Sequence, residues 1–197
     1  MQSQVLRLLG EKEETSKNHT KMHPYHTIGH STRPIETFVE LLQSAEVRLV
    51  IDVRTVPRSR ANPQYNRDAL APALAAFGVA YQPIPALGGL RGRQRDISPE
   101  TNAFWENGSF HNYADYALSD AFASGLLELR RLGETTRSAI MCAEALWWRC
   151  HRRIIADYLI ASGETVFHIL GPNDMEPARM TAAARPGPGG TLVYPAE

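Results

Sequence analysis

Five short runs of strand length, of which 47–53 and 139–141 are the apolar ones, constrain this chain more than any single residue does. They are 25–29, 47–53, 79–84, 139–141 and 165–170. Runs that are apolar almost throughout belong to strands covered on both faces. Between them, Phe38, Leu41 and Leu42, then Leu70, Leu74 and Phe77, then Ile154, Ile155, Tyr158 and Leu159 recur at the spacing of one helix face. Strands alternating with helices predict an α/β fold, with a mostly parallel sheet and helices on both faces in a Rossmann-like three-layer arrangement.

Punctuation residues set the expected boundaries. Ser31 or Thr32 can cap the first helix, with Pro34 in its first turn. Pro83 and Pro85 make the third strand short or place it at an edge. Residues 98–110 read as irregular, with Phe104 and Trp105 packed as a lid or a small insertion. Tyr113 to Leu132 reads as one long amphipathic helix closed by Gly133. From Gly171 the composition shifts to Pro, Gly and Ala, so 171–197 reads as a tail in which Thr191–Tyr194 can add a short strand. Lys12, Lys17 and Lys21 are the only lysines and all precede Met22, which sets 1–22 apart as a disordered leader before a single domain over 23–170.

A formal net charge of +0 argues against a broadly basic, nonspecific nucleic-acid binder. No apolar run approaches the roughly 20 residues needed to span a bilayer. Two cysteines, one directly followed by a histidine, suggest reduced thiols in a cytoplasm rather than a disulfide framework.

The chemistry gathers at strand ends, where ligands bind in open parallel sheets. His30 follows the first strand, Asp52 and Arg54 end the second, Gly88 and Gly89 follow the third, and Cys142 and Glu144 end the fourth. The stretch 138–155, SAIMCAEALWWRCHRRII, holds both cysteines across a strand-to-helix turn. Alternation puts Cys142 and Glu144 on one face, and Glu144 can act as general acid or base or pair with Arg54. Cys150 and His151, at a helix start beside Arg152, mark an acidified thiol or an anion site. Arg54, Arg58 and Arg60 form a loop without acidic residues, suited to clamping phosphate or carboxylate. His168 reads as core or surface, and Trp147 and Trp148 as packing rather than stacking platforms for bases.

Three segments carry a resemblance. They are His26–Ser31, Asp52–Arg60, and Met141–Glu144 with Cys150–Arg152. With Leu87–Gly89 and the Trp105–Tyr116 region, they resemble the family catalogued as domain of unknown function 488, over roughly Tyr25 to Leu170. The resemblance implies an α/β fold and supports the site without assigning a reaction. A second likeness is to rhodanese-type sulfurtransferases, through Val50–Arg54 and the run from Ile140–Cys142 to Gly163 and His168. Here the six residues between Cys142 and Arg149 include no glycine, and Trp147 and Trp148 stand where an anion cradle needs small residues.

The expected function is therefore enzymatic, on a phosphate-bearing substrate such as a nucleotide or a nucleic-acid component. Arg54, Arg58 and Arg152 would hold the anion, and Glu144 or His30 would move protons. Cys142 or Cys150 would be the nucleophile or a residue that shapes the pocket. Sulfur transfer through Cys142 and nonenzymatic phosphate or nucleic-acid binding are the alternatives. No membrane partner is implied. No cofactor is expected. Thiolates with an imidazole would select zinc or iron, but Cys150 and His151, if both helical, diverge by about 100°. Purified protein is then expected to hold no stoichiometric metal.

Overall fold

The computed structural model describes residues 23–196, so the expected leader lies outside the described residues. The main sheet is built from β1 (Tyr25–Gly29), β2 (Leu49–Asp52), β3 (Ala80–Pro83), β4 (Ser138–Cys142), β5 (Val166–Gly171) and β6 (Asp174–Pro177). Their order is β3-β2-β4-β1-β5-β6. The first five are parallel, and β6 runs antiparallel on β5. Gly29 lies beside Cys142, and Asp52 beside Met141, so β1, β2 and β4 end together.

Side-chain alternation sorts the strand residues between two cores. Ile28, Val50, Ala139 and Met141 pack with Phe38 and Leu42 of α1 (Ile35–Ser44) and with Leu70 and Leu74 of α2 (Arg67–Ala75). Ile51 and Ile140 face the other way. They pack with Tyr113 of α3 (Gly108–Tyr116), Phe122 and Leu129 of α4 (Asp120–Thr135), and Ile154 and Ile155 of α5 (Arg152–Ala161). Each such fully buried aliphatic side chain contributes about 1.5–3 kcal/mol. The α/β reading with helices on both faces therefore holds. Among the described residues, no helix is long and apolar enough to cross a membrane.

Several boundaries differ from the sequence reading. Ser31 adopts a φ of 50° in the turn after β1, and Pro34 rather than a hydroxyl residue precedes α1. The single helix expected over 113–132 is two helices. Asn107 caps α3 by accepting from Ser109 and Phe110, and Ser119 caps α4 by accepting from Phe122. Gly133 does not end α4. It lies inside the helix, at a position where a Cβ would overlap the ring of Tyr25. Trp105 is no lid: it is 6% exposed and stacks on Phe110 within the α3–α5 core.

The segment after Gly171 packs onto the domain. It adds β6, and β7 (Arg185–Pro186) pairs with β8 (Leu192–Val193). Tyr194 is 0% exposed and donates to Asp157 Oδ2 at 3.1 Å. Its backbone carbonyl accepts from Phe104.

Candidate functional site

The chain leaves β1 and β2 toward α1 and α2 on one face, whereas β4, lying between them, feeds α5 on the other. The loops diverge at the end of β4, and such switch points open a crevice in parallel sheets. Two adjoining chambers fill it, with volumes of about 330 Å³ and 540 Å³. Arg54, Val56, Ala143 and Glu144 line both.

The smaller chamber holds Cys142, Cys150 and His151. Cys142 stands at the last position of β4, which aims it into the crevice. Cys150 is extended, with φ −129° and ψ 145°, and α5 starts only after His151. The helical divergence assumed for this pair does not arise, and both side chains converge on Cys142. His151 Nδ1 lies 3.6 Å from Cys150 Sγ and 4.0 Å from Cys142 Sγ. Its Nε2 lies 3.0 Å from the Val53 carbonyl. A carbonyl only accepts, so Nε2 carries the proton and Nδ1 turns toward the sulfurs. Gly89 backs the ring closely enough that a Cβ would overlap it.

The two thiols are driven apart. The hydrogen bond to Cys150 and then burial hold Cys142 well above the ordinary thiol range. Burial opposes ionisation of Cys150 too, but the Cys142 hydrogen bond and the neighbouring His151 and Arg152 prevail and push it well below that range. Arg152 Nε donates to Cys150 Sγ at 3.2 Å, and its Nη2 donates to the Glu144 carbonyl. Arg152, expected to hold the anion, is instead 1% exposed and positions the cysteine loop from beneath.

The larger chamber is organised by Arg54. Its Nε donates to Asp52 Oδ1 at 2.9 Å, and its Nη2 donates to Asp52 Oδ2 at 2.6 Å and to the Tyr65 carbonyl at 2.8 Å. Its Nη1 lies 3.2 Å from His30 Nε2. Four of the five guanidinium N–H groups are thus engaged, and the fifth, on Nη1, has no partner among the described residues. Arg54 therefore pairs with Asp52 and not with Glu144. Asp52 also accepts from its own loop, from Arg54 N at 3.0 Å, and from Tyr81 at 2.5 Å, so it is an internal counter-ion, 1% exposed.

His30 donates through Nδ1 to the Ser31 carbonyl at 2.8 Å and stacks on Tyr65 with ring centroids 4.0 Å apart. Burial, with a contribution from the Arg54 charge, pushes it down to about 4. It is neutral near pH 7 and serves Arg54 as an acceptor. Glu144 is half-buried and accepts from Leu146 N at 3.1 Å. Arg58 is exposed and lines the larger chamber, whereas Arg60 lines neither. Gly88 abuts Thr55 and supports the wall.

Sequence reasoning missed Arg149, Thr55, Ser109 and Phe110, which line the thiol chamber. Arg149 lay inside the stretch singled out, and its position just before Cys150 was the available signal. Nothing local marks Ser109 or Phe110, because α3 brings them in from outside the strand ends. In the loop between the cysteines, Leu146 N is taken up by the Glu144 side chain. Arg149 N and Cys150 N bond to Leu146 and Trp147 carbonyls, while Trp147 stacks on His168 at 4.2 Å.

Fold and site define a doubly covered, mostly parallel α/β protein in which a crevice at the strand ends joins a thiol–imidazole cluster to a guanidinium wall. A family model described as Domain of unknown function DUF488 matches residues 34–159, more than half of the chain. The chain belongs to that family. No curated protein and no solved structure matches the chain.

Proposed function

We propose that this protein is an enzyme acting on an anionic, phosphate-bearing substrate, a nucleotide or a nucleic-acid component, in the crevice at the strand ends. One observation supports the reading above the others. The crevice carries guanidinium groups with donors left over after their internal partners, next to a cluster of reactive side chains. Asp52 is consumed by Arg54 and Tyr81, yet one Arg54 N–H, the exposed Arg58 and the exposed Arg149 face the space. Glu144 is the only carboxylate lining either chamber among the described residues. Guanidinium groups suit phosphate oxygens. In this reading Arg54, Arg58 and Arg149 hold the anion, and the reacting centre meets Cys142, Cys150 and His151. Glu144, bordering both chambers, moves the proton.

Binding and turnover are measured separately on a panel of nucleotides, phosphate esters and short single strands at two salt concentrations. Arg58→Ala and Arg149→Ala are each expected to weaken binding by about 1.4- to fivefold, as for an exposed ionic contact. Cys142→Ala and Glu144→Gln are expected to keep affinity and lose turnover. Affinity without turnover on every member of the panel would make the protein a binding module. Failure of every anion to bind would remove the reading.

A further inference from the structure

We propose that Cys142, Cys150 and His151 form a zinc site with three protein ligands and a fourth position open to the crevice. The three donor atoms all lie within 4.8 Å of one another. With Zn–S near 2.3 Å and Zn–N near 2.0–2.1 Å, a tetrahedral ion sets its S···N edges at about 3.5–3.6 Å. The observed separations are 3.6 Å and 4.0 Å, and the two sulfurs lie within 4.8 Å of each other where tetrahedral zinc sets them about 3.8 Å apart, so closing on an ion requires a shift of up to about 1 Å.

The imidazole is already oriented for this role. Its Nε2–H is tied to the Val53 carbonyl at 3.0 Å, which leaves the Nδ1 lone pair pointing at the sulfurs. A backbone carbonyl holding the far nitrogen is the usual outer support of a metal-bound histidine. Two thiolates and a neutral imidazole bring a divalent ion to zero net charge. Arg152 then donates to the Cys150 sulfur as an outer-shell group, at 3.2 Å. The donors are two sulfurs and a nitrogen, with no carboxylate among them, which selects zinc over magnesium or calcium. All three ligands line the thiol chamber, so the remaining position faces space that a water or a substrate atom can fill. Three protein ligands with an open fourth is the pattern of a reactive rather than a purely structural zinc.

The spacing conceals the site. Adjacent residues chelate one ion only when the first of them is not helical, and Cys150 is extended. Gly89 allows the ring its place, since a Cβ there would overlap His151. The proposal deepens the functional reading by naming the reacting centre, but it needs no anionic ligand, so either can fail alone.

Full-length protein, reduced and handled under nitrogen, is titrated with cobalt(II) and zinc(II). The expected result is about one metal per chain, with a thiolate-to-cobalt charge-transfer band and the intense visible bands of tetrahedral cobalt, displaced by zinc. Cys142→Ser and His151→Gln are expected to lose affinity by about tenfold or more, while Glu144→Gln keeps it. The wild-type spectrum tests the proposal even if a variant fails to fold. Folded, reduced wild-type protein that binds neither metal overturns it. So does a cobalt spectrum without a sulfur band, or binding unchanged in folded Cys142→Ser.

Discussion

His30 shows how burial reassigns a titratable side chain. It is 2% exposed, and its folded value near 4 lies below the ordinary 6.5. His168, stacked under Trp147 and bonded to Thr27 at 2.7 Å, is also lowered to about 4, by burial and then by the Arg152 charge. Between these values the unfolded chain binds protons that the folded chain does not, so stability should fall as pH drops from about 6.5 to about 4. Urea midpoints across that range are expected to show the decline, and His30→Gln, which keeps an acceptor for Arg54, should lessen it and leave the share due to His168. A slope unchanged in His30→Gln would contradict the assignment. Arg152 makes the second prediction at this scale. Arg152→Ala removes two hydrogen bonds to a buried charged group, each about 1.5–3 kcal/mol. It should destabilise by about 3 kcal/mol or more and raise the Cys150 thiol, as read by thiolate absorbance against pH. Arg152→Lys, a single point donor, should not restore either property. Cys142, Glu144, Cys150 and His151 were legible because a strand-to-turn pattern gathers them locally. The inward commitments of Arg54, His30 and Arg152 were not, because Tyr65, Asp52 and the Glu144 carbonyl are set against them by tertiary packing.

The helices carry the clearest case of packing overriding propensity. Glycine inside a helix normally loses about 1 kcal/mol against alanine. Gly133 nevertheless sits within α4, against the Tyr25 ring, and Gly125 sits where a Cβ would come within 2.9 Å of Ala86. Overpacking costs about 1–3 kcal/mol, which exceeds the propensity gain. Gly133→Ala should therefore lower the thermal midpoint, and Tyr25→Leu in the same chain should recover part of the loss. A stabilised Gly133→Ala would show that the ring yields freely. The same residue explains why the end of α4 was misplaced: glycine marks a helix terminus only when no side chain needs its space. The break before α4 was readable in principle from Ser119 followed by Asp120, a capping residue with an acid in the first turn. The unbroken apolar period from Tyr113 onward masked it. Strand order was less accessible, since β4 enters between β1 and β2 from far along the chain.

At the scale of the molecule, a composition rich in proline and glycine disguised an integral segment. Tyr194 closes the core formed by α3, α4 and α5, where Leu192 N donates to the Tyr158 hydroxyl at 3.1 Å. Tyr194→Ala should destabilise by about 3–5 kcal/mol, the range for large aromatic truncations in a core. Removal of the residues after Gly171 should do at least as much, and a truncated chain with wild-type stability would show that the segment merely rests on the surface. Proline and glycine report backbone freedom, not burial, so Tyr194 and Leu192 were the residues that carried the signal. The sheet itself was legible because five short runs of strand length leave few alternatives, and its parallel order brings Cys142, Arg54 and His30 to one edge. That convergence is the centre of the account, and diffraction from crystals soaked in tungstate, a phosphate mimic with a strong anomalous signal, tests it most directly. An anomalous peak is expected in the crevice, within hydrogen-bonding distance of the free Arg54 N–H and of Arg58 or Arg149, beside Cys142. Tungstate bound elsewhere with the crevice empty, or a crevice closed by side chains, would contradict it.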